Sequence, residues 1–259
     1  MNRYQYWWQI VVTCALVMFA SCKPSLKPSA AAAKLSPEPW SADAPQDWPQ
    51  IVLTNDAQFR GHTSLQGASC FLIESRSGST WAATAKHLIG PSGGVEPEIQ
   101  VDELDQKIAA WRMFPRTLPE NYVEVERVAV SGLGRGGDDW LLLAIKPSDR
   151  PLPATPLKVR PDCISVGERV YLIGCPYSEE ACKQNVYPGT VVERGNVAFF
   201  RYELETPVDI RGFSGAPIVD TNGHLVGVMT VWFKPRRNGD QFLEAGGQDA
   251  AYLLGYSER

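Results

Sequence analysis

Residues 212–228 read GFSGAPIVDTNGHLVGV, and the architecture is decided here. Glycines on either side of Phe213 and Ser214 mark a tight turn of the kind that residues without a side chain enter freely. APIVD (216–220) and HLVGVMTVWF (224–233) are short runs rich in β-branched residues, and the DTNG that joins them is turn chemistry. Two such runs, so closely joined, form a β-hairpin, the unit of an antiparallel sheet.

The same pattern continues outward. SCFLIES (69–75), STWAATA (79–85), EVERVAVS (124–131), WLLLAIK (140–146), ERVYLIG (168–174) and TVVERGN (190–196) all read as strands, with SRSG (75–78) and GRGGD (134–138) among the turns. Many short strands without helical spacing between them predict an all-β, antiparallel barrel or sandwich rather than a βαβ sheet. Helix is expected only around Pro97–Ala110 and over DAAYLLG (249–255). PSDRPLPATPL (147–157), with four prolines, reads as the connector between two β halves, about 51–146 and 158–259. The aromatic group Phe199, Phe200 and Tyr202 is expected to pack a barrel.

The N-terminus reads differently. Arg3 precedes an apolar run, WWQIVVTCALVMFA (7–20), short for a bilayer span and suited to an export signal over residues 1–21. FASC (19–22) resembles the bacterial lipobox, which implies a lipid on Cys22, a membrane anchor and a place at the cell envelope. A plainly cleaved signal and an uncleaved anchor are the alternatives. Residues 22–50, rich in Pro, Ala and Ser, read as a solvated tether, with the folded part over 51–259.

The 259 residues are 44% hydrophobic and 21% charged, which excludes a disordered or collagen-like chain. A net charge of −4 carries no basic field for nucleic acid, and none is expected as a partner. The basic cluster KPRRNG (234–239) reads as a solvated hairpin tip. The three His and six Cys lack the paired spacings of a zinc site, so no metal is expected. Export permits disulfides. Cys175 and Cys182 are close enough in sequence to close a loop, Cys70 and Cys163 are the leftover pair, and free buried thiols are the alternative.

Three motifs occur in a fixed order: ATAKHL (83–88), GDDWLLLAI (137–145) and the Gly-rich turn around Ser214. A serine hydroxyl is a poor nucleophile until a base takes its proton. An imidazole, which ionises near neutral pH, suits that task, and a buried carboxylate fixes its tautomer. Backbone N–H groups in a glycine turn can converge on a developing oxyanion. Each motif alone is weak; the order His, Asp, Ser in an all-β chain is specific.

These residues resemble the trypsin-like, chymotrypsin-fold serine peptidases over roughly residues 60–235. ATAKHL is similar to the family's TAAHC motif, DDWLLLAI to its D-[IL]-A-L-L strand, and GFSGAP to GDSGGP. VGERVYLIGCPYS (166–178) and DIRGFSGAPIVDTNGHLVGV (209–228) are closest to the HtrA/Deg branch, here expected without its PDZ domain. The resemblance implies two six-stranded antiparallel barrels with the active site between them. It implies His87 as general base, Asp139 rather than Asp138 as its orienting acid, and Ser214 as nucleophile. It implies an oxyanion hole from the N–H groups of Gly212 and Ser214, and no cofactor. The strand Thr230-Val231-Trp232 would pair with a protein or peptide substrate.

Phe213 stands where the family has Asp, which implies no activation by a new N-terminus. Ala216 stands for a Gly. Val208 stands where trypsins carry their specificity Asp, so cleavage after Lys or Arg is not expected. Trp232 stands where the family's small residues open the pocket and is expected to narrow or cap it, with small or medium apolar side chains preferred at the cut. The expected activity is that of an exported serine endopeptidase. A non-catalytic binding module on the same fold is the alternative, motivated by Phe213, Ala216 and Trp232 around the nucleophile, and an esterase with the same triad is a third reading. His62 and His224 are expected to be bystanders, His224 as a solvent-facing turn residue. Asp138 is expected to be a turn neighbour of Asp139, and Asp209 either lines the pocket mouth or caps a loop.

Overall fold

A computed structural model describes residues 35–130, 138–195, 198–230, 234 and 236–256. Two closed barrels make up the body. The first is built from β1 (Val52–Phe59), β2 (Leu65–Glu74), β3 (Thr80–Ala85), β4 (Ile108–Phe114), β5 (Val123–Val128) and β6 (Trp140–Ile145). They pair antiparallel in the order β1-β4-β5-β6-β3-β2, and β1 pairs with β2 to close the ring. The short β7 (Leu157–Lys158) lies parallel to β2.

Barrel two contains β8 (Arg169–Gly174), β9 (Asn185–Arg194), β10 (Phe199–Val208), β11 (Pro217–Asp220), β12 (Leu225–Thr230) and β14 (Gln241–Asp249), with the two-residue β13 (Arg237–Asn238) on its margin. The order is β10-β9-β8-β11-β12-β14, and β10–β14 pairing closes it. Closure removes the exposed strand edges that an open sheet would present.

The period-2 geometry of strands explains the continuous apolar runs. In β6, Leu141 and Leu143 enter the core of barrel one, while Trp140 and Leu142 face a second cluster at the seam between barrels. β2 divides likewise, Leu72 inward and Phe71 and Ile73 to the seam. Barrel two contributes Ile173, Val219, Leu225 and Val228 to that seam, and fills its own interior with Leu172, Phe200, Tyr202, Phe213, Ile218 and Met229. The two barrels are therefore one folding unit with a buried apolar joint.

Four local expectations are corrected. The helix expected around Pro97–Ala110 shrinks to one turn, Leu104–Lys107, and Ile108 onward is strand β4. The C-terminal helix is a 3-10 turn, Ala250–Gly255. Residues 36–48, expected to be part of a solvated tether, pack on barrel two. Glu38 donates its N–H to Asn222 O at 2.9 Å and pairs with Lys158. Trp40, Trp48 and Tyr171 stack edge to face at 5.0 and 5.2 Å. This cover also buries His224, 3% exposed, whose Nε2 lies 3.0 Å from Ser36 O. His224 is thus a structural residue of the interior and not a solvent-facing one. The export signal expected over residues 1–21 and the expected lipid site Cys22 lie outside the described residues.

Candidate active site

The histidine turn grows out of a ladder. Ala85 at the end of β3 pairs with Trp140 at the start of β6, and the next hydrogen bond in line runs from Lys86 N–H to Asp139 O at 2.8 Å. Leu88 and Ile89, both buried, anchor the 3-10 turn Lys86–Ile89 in the core of barrel one. His87 and Asp139 are 52 positions apart and meet because these strands pair. Asp139 is 1% exposed. Its Oδ1 accepts the His87 N–H at 2.8 Å, and its Oδ2 lies 2.6 Å from His87 Nδ1. A buried carboxylate at that distance places the proton on Nδ1 and leaves Nε2 as the ring's basic nitrogen.

The Ser214 turn is set by two glycines with positive φ, Gly212 (+100°) and Gly215 (+82°). Its frame is local: Phe213 N–H to Ile210 O at 3.0 Å, Ala216 N–H to Phe213 O at 2.8 Å and Gly215 N–H to Met229 O at 3.1 Å. Its placement is not. Ser69 of β2 donates its N–H to Ser214 O at 2.9 Å and its hydroxyl to Gly212 O at 2.8 Å, pinning both ends of the turn to barrel one. A Cβ on Gly215 would come within 2.3 Å of Ser69 O, 2.4 Å of Thr84 Oγ1 and 3.0 Å of Ala85 N. The serine turn is therefore wedged against the residues that lead into His87. The N–H groups of Gly212 and Ser214 have no hydrogen-bond partner among the described residues.

Phe213 is fully buried, and a Cβ on Gly174 would lie 2.5 Å from its ring. The ring meets Tyr187 edge to face at 5.5 Å. An aspartate in this apolar slot would bury an unpaired carboxylate, so Phe and Gly174 go together. Ala216, also fully buried, belongs to the same core. Phe213→Leu is expected to cost about 1–2 kcal/mol by leaving a small cavity, read in chemical denaturation.

Around the turn, Val208 is 4% exposed among Ile210, Met229 and Ala245. Thr230 ends β12 with its hydroxyl buried and unpartnered among the described residues; Val231 and Trp232 lie outside them. Asp209 caps a loop: Arg211 grips both its oxygens at 2.7 Å, and that hydrogen bonding holds the carboxyl below its usual range. Asp138 accepts a hydrogen bond from the Tyr256 hydroxyl. His62 Nδ1 lies 2.7 Å from Pro97 O, in a loop remote from Ser214 in sequence.

Cys175 and Cys182 form a disulfide. Cys70 is a free thiol, buried and pushed up in pKa by that burial, so the pair Cys70–Cys163 does not form. Arg116 donates to the carbonyls of Cys175, Pro176 and Glu179 at 2.8–3.2 Å, holding the disulfide loop on barrel one. In that loop the Tyr177 hydroxyl accepts Ala68 N–H at 2.8 Å, and its ring lies over Gly212. Ser69, Tyr177, Arg116 and Gln248, whose Oε1 accepts the Asp139 N–H at 2.6 Å, were not singled out by sequence. Only the run of small residues GAS (67–69) ahead of an apolar strand hints at a close approach. Among the described residues no group of three His, Cys, Asp or Glu side chains is placed to hold a metal.

No curated protein matches the sequence. Solved structures do share the fold. The Rv3671c protease of M. tuberculosis in its active form aligns over 90% of this chain and 92% of its own, at 17% identity and a TM-score of 0.53. Kallikrein-related peptidase 10 aligns over 82% and 95%, at 14% identity and a TM-score of 0.55. The profile of the "Trypsin-like peptidase domain" matches residues 68–228. The two closed barrels form a chymotrypsin fold, and the chain belongs to the trypsin-like peptidase domain family.

Proposed function

We propose that the protein is a serine endopeptidase that cuts peptide bonds through His87, Asp139 and Ser214. The observation that carries this reading is the Asp139 carboxylate, 1% exposed and committed with both oxygens to His87. His87 Nε2 takes the Ser214 proton as Oγ attacks the scissile carbonyl carbon. The N–H groups of Gly212 and Ser214 receive the oxyanion. The C–N bond breaks, the amine leaves with the proton from His87, and water, activated by the same imidazole, hydrolyses the acyl-enzyme. A donor of such a hole is worth about 2.7–4 kcal/mol in a comparable enzyme.

Among the described residues Val208 has apolar surroundings and Asp209 is paired with Arg211, so neither offers a free acid to a Lys or Arg side chain. Small or medium apolar residues are the preferred side chains at the cut, with the substrate backbone added as a strand beside Thr230-Val231-Trp232. The branch is HtrA/Deg-like. The enzyme is exported and tethered at the cell envelope by lipid on Cys22.

The test is covalent. The full chain is treated with a fluorophosphonate and the modified peptide is mapped by mass spectrometry. Label on Ser214 supports the reading; a folded protein that takes none, and does not cleave casein, overturns it in favour of a binding module.

A further inference from the structure

Asp139 is held from both sides of the seam. Its carboxylate serves His87 in barrel one, while its own N–H donates to Oε1 of Gln248 at 2.6 Å. Gln248 comes from barrel two, near the end of β14, and is 4% exposed. Its backbone sits between Phe199 of β10 and Val228 of β12. The next residue, Asp249, is fixed as firmly: it pairs with Arg194 at 2.9 Å and accepts the N–H groups of Ala251 at 2.9 Å and Ile164 at 3.2 Å. The Gln248 amide therefore projects from a rigid base. A second hold from the same end of the chain is the Tyr256 hydroxyl on Asp138.

We propose that Gln248 is a positioning residue: by accepting the Asp139 N–H it sets the main chain at the acid, and so the direction of the carboxylate toward His87. The proposal rests on the peptidase reading above. Its chemistry is specific. The position needs an acceptor at the end of a four-atom side chain, because the partner is a buried N–H. The carboxylate has no freedom to correct a shift, since both oxygens are already committed. Misplacement of a reacting group by an ångström costs up to about a hundredfold in rate.

The experiment measures labelling of the full chain by a rhodamine fluorophosphonate, separating the maximal inactivation rate from the half-saturating probe concentration. Gln248→Ala is expected to lower the maximal rate about tenfold or more, with half-saturation within about twofold. Gln248→Glu, which keeps the length and the acceptor, restores most of it. Should the Ala variant not fold, Gln248→Asn, shorter by one methylene, carries the same comparison. Equal maximal rates in wild type and Ala variant overturn the proposal, as does an equal loss in the Ala and Glu variants. A wild-type chain that takes no label overturns the peptidase reading and this proposal together, which distinguishes the two failures.

Discussion

Asp139→Asn is expected to lower kcat about ten-thousandfold while the protein stays folded. The size is that measured for the equivalent change in trypsin, a known result for a related fold; the reason it applies lies in two hydrogen bonds. Oδ1 of Asp139 accepts the His87 backbone N–H, and Oδ2 accepts the hydrogen bond of Nδ1–H. An asparagine has one acceptor and one donor. If its oxygen keeps the backbone N–H, its NH2 faces Nδ1, which must then accept, so the ring proton moves to Nε2 and the base is lost. If the amide turns over, two donors confront each other at the backbone of His87. The first arrangement is the stable one, so the fold survives and the tautomer does not. Steady-state hydrolysis of casein-derived peptides and the rate of fluorophosphonate labelling both read the loss. A variant within about tenfold of wild type would mean that His87 does not depend on Asp139 for its tautomer.

The sequence reveals the parts of this fold whose structure is decided locally. The hairpin β11–β12 is legible because DTNG and the glycines around Ser214 encode turns within a few residues. β6 is legible because WLLLAI is buried on both faces, in the barrel and at the seam. β14 is not. QFLEAGGQD (241–249) lacks alternation, and a Cβ on Gly247 would fall 2.5 Å from Ile218 and 2.9 Å from Phe200. The strand exists because β10 and β12 pair with it on either side, a non-local cause. β4 misleads in the opposite direction. Leu104, Ile108 and Trp111 fall at helical spacing, and pairing with β1 and β5 overrides it. At the site, His87, Asp139 and Ser214 stand out by residue type and order, whereas Ser69 and Gln248 act through contacts across the seam that no spacing encodes. The burial of His224 has the same kind of cause, since its cover comes from residue 36, far away in sequence.

Gly215→Ala is expected to remove activity and to destabilise the fold together. Two costs combine. At φ +82° an L-residue bears about 1–2 kcal/mol of strain. The added methyl would also lie 2.3 Å from Ser69 O and 2.4 Å from Thr84 Oγ1, atoms held by strand pairing and by their own 2.7 Å hydrogen bond. Overpacking against such a surface costs about 1–3 kcal/mol more. The sum, near 2–5 kcal/mol, is a large part of the total stability of a domain, about 5–15 kcal/mol, and corresponds to a fall in Tm of roughly 5–15 °C. Gly78→Ala separates the two costs, because Gly78 has the same φ of +82° with nothing within 4 Å. It is expected to lose only the strain, about 1–2 kcal/mol, and to keep full labelling at Ser214. The contact at Gly215 is also where relaxation does harm. The methyl can be accommodated only by moving the serine turn away from Thr84 and Ala85, which lead into His87, so Ser214 shifts relative to His87 even in molecules that fold. Equal Tm losses in the two variants, with Gly215→Ala still reactive, would show that the serine turn is not wedged against the histidine turn.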